Sequence, residues 1–170
     1  MYKYKFNIEK ALEVLLYIGA RCPNTYNALK VLYFADKEHL AEYGRLICGE
    51  SYIAMKQGPV PSGVYDMIKY VRGDGFILTE IPLGESFTID GYNIIPLRKA
   101  NIDLLSESDI ECLDKAIKKY GTLPFSELKR LSHNDAAYID ADENDVISLD
   151  AIVRSLPNCE ILFDYLHADL

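Results

Sequence analysis

The hydrophobic residues of this chain recur mainly every three or four positions, a spacing that is typical of amphipathic helices. The first such segment begins after Asn7, whose side chain can cap a helix, and extends to Ala20. The second begins at Asn24 or Thr25 and ends at Gly44, where a left-handed residue is favoured. The pattern therefore predicts two long helices in the first quarter of the chain.

Further helical segments follow along the chain. One starts at Pro61, which suits a first helical turn, and another at Ser106, which forms a capping pattern with Asp109. The remaining segments begin near three residues: Pro124, Ser148 and Glu160. These seven segments, of which the one after Pro124 is short, predict about six helices in all.

Two regions instead have the β-rich composition of strands. The first lies near residues 51–57, and the second spans residues 76–97, where FILTEI and YNIIPL flank a turn region containing Gly84 and Gly91. The second region predicts a hairpin. Together the elements predict one mostly helical α+β domain, residues 1–170, with a small antiparallel sheet.

The charged residues are distributed unevenly. Residues 1–133 carry 17 acidic and 17 basic groups, whereas residues 134–170 carry nine acidic groups and one basic group, Arg154. The net charge of −8 therefore belongs to the C-terminal segment. Such a segment repels nucleic acid and anionic lipid and attracts a basic protein surface.

The cysteines and the apolar runs bear on the compartment. The four cysteines form no C-x-x-C pair, which favours reduced thiols over a zinc site. The longest early apolar run, Val14 to Ala20, is too short to cross a bilayer. We therefore expect a cytoplasmic protein with no membrane segment.

One pair of residues could carry chemistry. Asp36 and His39 lie three positions apart on the second helix, so they share a face, and a carboxylate can orient an imidazole for acid–base work or metal binding. No third ligand stands at a usable spacing, so we expect no metal and no cofactor. A hydrogen-bonded pair that holds the helix against the sheet, a partner contact and a catalytic pair all remain open.

The sequence GPVP predicts a rigid joint between a strand and a helix. Pro59 and Pro61 each restrict their own φ, and Gly58 permits close approach of a neighbour. The helix that follows has free amides at its N-terminus, which can accept an anion near Lys56. An internal carboxylate that caps the helix is the alternative.

Residues 29–69, here called the signature segment, read LKVLYFADKEHLAEYGRLICGESYIAMKQGPVPSGVYDMIK and resemble the characteristic region of the Panacea domain. This is the SocA-like antitoxin family, often found in prophages and in toxin–antitoxin operons. The downstream stretches LSESDIECLDKAIKKYG and FSELKRLSH also resemble the family. The family often has a tryptophan soon after this last stretch, and Tyr138 stands in for it here.

The resemblance implies a binding module that neutralises a cognate toxin, encoded in an adjacent gene, by direct contact and not by catalysis. An adaptor that delivers the toxin to a protease is a further role known in the family. Family members with operator-binding activity carry an added DNA-binding domain, for which 170 residues leave no room. The residues that form the family signature or meet the partner are Tyr33, Asp36, His39, Tyr43, Arg45, Tyr52, Lys56, Gly58, Pro59, Pro61, Tyr65 and Tyr138.

Two alternatives stand beside the antitoxin hypothesis. A small enzyme would need Asp36, His39 and perhaps Lys56 in one cleft. A winged-helix-like nucleic-acid regulator would use the hairpin as its wing and would need a basic stripe on one helix, which the neutral body and acidic end argue against.

Overall fold

The computed structural model describes residues 5–168 of the chain. Within this range the helices are Ile8–Arg21 (α1), Thr25–Tyr43 (α2), Ser62–Arg72 (α3), Glu107–Tyr120 (α4), Phe125–His133 (α5), Ala136–Asp140 (α6), Leu149–Arg154 (α7) and Cys159–Leu166 (α8). The strands are Tyr52–Met55 (β1), Gly58–Pro61 (β2), Phe87–Asp90 (β3), Asn93–Pro96 (β4) and Val146–Ile147 (β5). The predicted mostly helical α+β fold is confirmed. Asp169, the last acidic residue of the predicted segment 134–170, lies outside the described residues.

Local signals explain where the long helices begin and end. The side chain of Asn7 accepts a hydrogen bond from the amide of Lys10 and so caps α1. Ser106 and Asp109 form the predicted capping box at the start of α4. Gly44 adopts φ 74° after α2, a conformation that glycine tolerates.

The strands form two small antiparallel sheets. In the larger one the order is β2-β1-β5, and Tyr52 of β1 lies opposite Pro61 of β2 and Ile147 of β5. In the other, β3 pairs with β4. The hairpin predicted for residues 76–97 is therefore confined to residues 87–96.

The structure differs from the prediction in three details. The stretch FILTEI is a loop, because no strand pairs with it, and Phe76 and Leu78 are 80% and 91% exposed. Strand β5 and helix α6 were not predicted from the sequence. The described residues form eight α-helices and not about six.

The buried residues form two hydrophobic cores that share α2. The first core contains Leu32 and Ala35 of α2 with apolar side chains of α1, α3, α4 and the β3–β4 hairpin. The second contains Tyr33 and Leu40 of α2 with side chains of β1, β5, α6, α7 and α8. Helix α2 carries most of the first half of the signature segment, so this segment lies at the centre of the fold.

Candidate partner-binding site

Asp36 joins α2 to the larger sheet. Its carboxylate is 1% exposed and accepts hydrogen bonds from the Tyr52 hydroxyl at 2.6 Å and the Ile47 amide at 2.8 Å. Burial raises the pKa of Asp36 to about 6, and the two hydrogen bonds oppose that rise. The two signature residues Asp36 and Tyr52 therefore stabilise the scaffold from inside.

His39 belongs to a different buried network. Its Nδ1 lies 2.8 Å from the Arg45 carbonyl oxygen, and its Nε2 lies 2.9 Å from the Ser108 hydroxyl. The Asp109 carboxylate, 3.4 Å from the same nitrogen, also pairs with Arg45 at 3.0 Å and with Lys10 at 2.7 Å. Burial lowers the pKa of His39. Asp36 and His39 thus have separate hydrogen-bond partners, and the hypothesis of a pair in which one orients the other is not supported.

The N-terminus of α3 is capped by a carboxylate of the chain itself. Glu50, 5% exposed, accepts hydrogen bonds from the amides of Ser51, Gly63 and Val64 at 2.9, 2.8 and 3.0 Å. Burial raises the pKa of Glu50 to about 7, and these hydrogen bonds oppose the rise. The predicted anion site at this helix end is therefore filled from inside, and Lys56 lies instead on the exposed turn between β1 and β2.

The GPVP joint forms the whole of β2 and leads directly into α3. Gly58 has φ 116°, and a Cβ there would lie 2.7 Å from the Ser132 Oγ and 2.9 Å from the Lys30 Cε. The Pro59 carbonyl accepts a hydrogen bond from the Lys30 ammonium at 3.0 Å. Pro61 is the residue that precedes the first turn of α3. These residues hold the joint by backbone geometry and close packing.

The signature tyrosines divide into buried anchors and surface groups. Tyr33 is fully buried and donates to Asp135 at 2.6 Å, and Tyr138 donates to the Met55 carbonyl at 2.7 Å, which fastens α6 to β1. Tyr43 is 42% exposed and donates to Glu111 at 2.6 Å. Tyr65 lines a groove at the surface, between α3 and the start of α2. Position 138 is therefore an internal anchor of the fold.

A groove of about 780 Å³ opens beside the signature segment. It lies between the start of α2, the β1–β2 turn, α3, the β3–β4 turn and the segment that joins α4 to α5. Of the predicted site residues it contains Lys56 and Tyr65, and none of the buried ones. Sequence reasoning missed its other polar and aromatic lining residues: Asn24, Tyr26, Asn27, Lys30, Gln57, Arg72, Tyr92, Thr25, Thr122 and Phe125.

A second candidate surface, here called the C-terminal face, combines apolar and acidic side chains. Four apolar residues on α6, β5 and α8 are 55–75% exposed, and each has an exposed acidic neighbour in the sequence. The pairs are Ile139 with Asp140, Val146 with Asp145, Ile161 with Glu160, and Tyr165 with Asp164. By contrast, Asp135 of the same acidic segment is buried and paired with Lys37 at 2.5 Å. The outward-facing acids of the segment therefore accompany exposed apolar side chains.

The remaining predicted chemistry has few structural counterparts. Cys22, Cys48 and Cys112 are buried free thiols, and Cys159 is half-buried and free. In residues 5–168, no three His, Cys, Asp or Glu side chains are grouped so that they could hold a metal ion. Over the same residues, none of the helices combines the length and the apolar character that crossing a bilayer requires.

Comparison with known proteins identifies one family. A family model described as "Antitoxin SocA-like, Panacea domain" matches residues 29–138, which include the signature segment, α4, α5 and Tyr138. Neither a curated protein nor a solved structure matches the chain.

Proposed function

This chain belongs to the SocA-like antitoxin family with its Panacea domain, and from that premise we propose that it neutralises a cognate toxin by binding it directly. The internal use of the signature residues supports a binding role. Asp36, His39 and Glu50 each satisfy contacts within the fold, so their carboxylate and imidazole groups do not form a reactive cluster. An adjacent gene is the expected source of the toxin.

The C-terminal face is the surface that we assign to the toxin. Exposed apolar side chains are common at interaction sites, and the acidic neighbours favour a partner with a basic surface. The observation that carries this assignment is the pairing of Ile139, Val146, Ile161 and Tyr165 with exposed acids. All four of these residues follow the part of the chain that the family model matches. The face can therefore differ between relatives while the scaffold is retained.

Co-expression with the toxin tests this assignment. We expect the toxin to co-purify with the parent protein and to lose at least tenfold in affinity for the double variant Ile139→Asn, Ile161→Asn. The matched control is Phe76→Asn, Leu78→Asn, which changes two apolar residues that are even more exposed, in the loop before β3. We expect the control to bind like the parent.

Two results would contradict the proposal at different levels. If the double variant binds the toxin as tightly as the control does, the toxin contacts another part of the surface. Failure of the parent protein to bind or neutralise the toxin would refute direct neutralisation itself. If the toxin disappears from cells only when a protease is present, the protein acts as an adaptor and not as a direct inhibitor.

A further inference from the structure

The groove has the size and the walls of a small-molecule site. Its volume of about 780 Å³ lies within the range of 300–1,000 Å³ that is typical of such sites. Apolar and aromatic side chains dominate its walls, among them Tyr26, Tyr65, Tyr92 and Phe125. The rings of Tyr26 and Phe125 contact each other, with 4.6 Å between their centroids. The groove therefore offers aromatic surface against which a flat apolar body can pack.

The charge in the groove has one sign. Its 18 lining residues include Lys30, Lys56 and Arg72 but no Asp or Glu, although the chain as a whole carries −8. Arg72 is already paired with Asp74 just outside the groove, at 2.7 and 2.8 Å. The first turn of α2 also lines the groove and adds the positive end of a helix dipole. The two lysines and the helix end therefore favour an anion.

Lys30 is the most unusual of these groups. It is 1% exposed, its ammonium donates to the Pro59 carbonyl at 3.0 Å, and it lies 4.6 Å from the centroid of the Tyr26 ring. Among residues 5–168, no carboxylate lies within 4.0 Å of it, and burial lowers its pKa to about 7. A buried ammonium without a counter-charge is unfavourable. Such a violation of the usual rules in a cavity is characteristic of functional sites.

A second polar group in the groove is also incompletely used. The side-chain oxygen of Gln57 is buried and has no hydrogen-bond partner among the described residues. Gln57 lies on the β1–β2 turn, where its backbone carbonyl accepts a hydrogen bond from the Tyr26 hydroxyl at 2.9 Å. The groove thus offers a buried cation and a buried hydrogen-bond acceptor to an occupant.

We propose that this groove binds a small carboxylic acid with a flat apolar body, and that Lys30 balances the carboxylate charge. A monoanion fits better than a phosphate, because Lys30 supplies the one buried ammonium among the described lining residues and Arg72 is already paired. The groove's volume of about 780 Å³ is that of a small-molecule site, whereas a stable protein partner needs about 800 Å² of surface on each side. None of the C-terminal-face residues lines the groove, so this site is independent of the proposed toxin contact.

Two nearly isosteric probes test the charge requirement. We expect 2-naphthoate to bind the full-length protein at pH 6.5 at least tenfold more tightly than the neutral 2-naphthamide, as measured by isothermal titration calorimetry. Lys30→Met should abolish this preference while leaving the affinity for 2-naphthamide within twofold, which also shows that the variant still forms the groove. Lys56→Met, which removes the exposed lysine, should reduce naphthoate affinity less than threefold.

The proposal is overturned by any of three results. These are no binding of naphthoate at millimolar concentration, equal affinities for the two probes, or an unchanged preference in Lys30→Met. Loss of both probes in that variant, with an intact unfolding transition, would also contradict it, because Lys30 would then be shaping the walls. Toxin binding is measured separately, so failure of one proposal leaves the other in place.

Discussion

Replacing Lys30 with methionine should stabilise this protein at neutral pH. Methionine has a similar length and removes the ammonium, whose pKa burial lowers from 10.5 to about 7. Each tenfold change in the proton equilibrium corresponds to about 1.4 kcal/mol, so this lowering costs the parent roughly 4 kcal/mol at pH 7. The variant also loses the hydrogen bond to the Pro59 carbonyl, which lowers its stability by about 1–3 kcal/mol. The net expected gain is about 2 kcal/mol.

The pH dependence gives this prediction its distinctive signature. Between pH 7 and pH 10.5 the unfolded chain holds a proton on Lys30 that the folded chain has released, so the stability of the parent rises with pH. The unfavourable contribution is complete below pH 7 and fades as the pH approaches 10.5. The advantage of Lys30→Met should therefore shrink by roughly 2–3 kcal/mol between pH 6 and pH 9.

Urea unfolding followed by circular dichroism at pH 6, 7.5 and 9 measures both quantities. Lys56→Met is the matched control, since Lys56 is exposed, and it should change stability by less than about 0.5 kcal/mol at each pH. If Lys30→Met is less stable than the parent at pH 6, or its effect does not vary with pH, the protein stabilises the buried ammonium and the reasoning is wrong. A confirmed gain would mean that the chain retains Lys30 at a cost in stability, as expected for a binding residue.

Three further predictions follow from the joint, the anchor and the acidic segment. Gly58→Val should cost about 1–3 kcal/mol, because φ is 116° and the groups around it leave no space for a side chain. The control Gly84→Ala should leave the melting temperature unchanged in thermal unfolding, because nothing lies within 4 Å of an added Cβ. An unchanged melting temperature for Gly58→Val would show that the backbone at residue 58 is not strained by a side chain. Tyr138→Phe should lower the free energy of unfolding by about 1 kcal/mol, because it removes the hydrogen bond to the Met55 carbonyl. Tyr92→Phe, at a 79% exposed site, should leave the free energy of unfolding unchanged. Equal stabilities of the two variants would show that the ring of Tyr138, and not its hydroxyl, anchors α6. Neutralising four exposed acids should slow toxin association severalfold at low salt and much less at high salt, because exposed charges act mainly through screened steering. Neutralising four exposed acids elsewhere in the chain should leave the association rate unchanged. Equal association rates for the two four-residue variants would rule out steering by the acidic segment. The four test residues are Asp140, Asp142, Glu143 and Asp145, and the four controls are Glu80, Glu85, Asp90 and Asp103.

The sequence predicted those parts of the fold that depend on neighbouring residues. The caps at Asn7 and Ser106 and the left-handed end at Gly44 each involve groups within four positions, so their side chains alone indicate them. Strand β5 is different, because its two residues pair with β1 about 90 positions earlier. Helix α6 has only five residues, too few to show a hydrophobic period.

The groove was not predictable for the same physical reason. Its walls come from five separate parts of the chain, and no local pattern brings them together. Lys30 has the appearance of an ordinary helix lysine, and only its packing against β2, whose Pro59 lies 29 residues later, shows that it is buried. Glu50 likewise caps α3 from a position 13 residues before Gly63, so the sequence left open whether an external anion or an internal carboxylate fills that helix end.

The sharing of α2 between the two cores has a consequence for how this protein unfolds. Leu32 and Tyr33 are adjacent in α2 but belong to different cores. If one core unfolds, α2 therefore loses packing contacts that the other core also needs. Opening α7 and α8 therefore removes support from the helix that also holds α1 and α4. We expect the most slowly exchanging amide hydrogens on both sides of α2 to exchange together, in one global event, as native-state hydrogen exchange can show. Residues 29–138 on their own lack α1, α7 and α8, so we expect the family-defining region to need these flanking helices in order to fold.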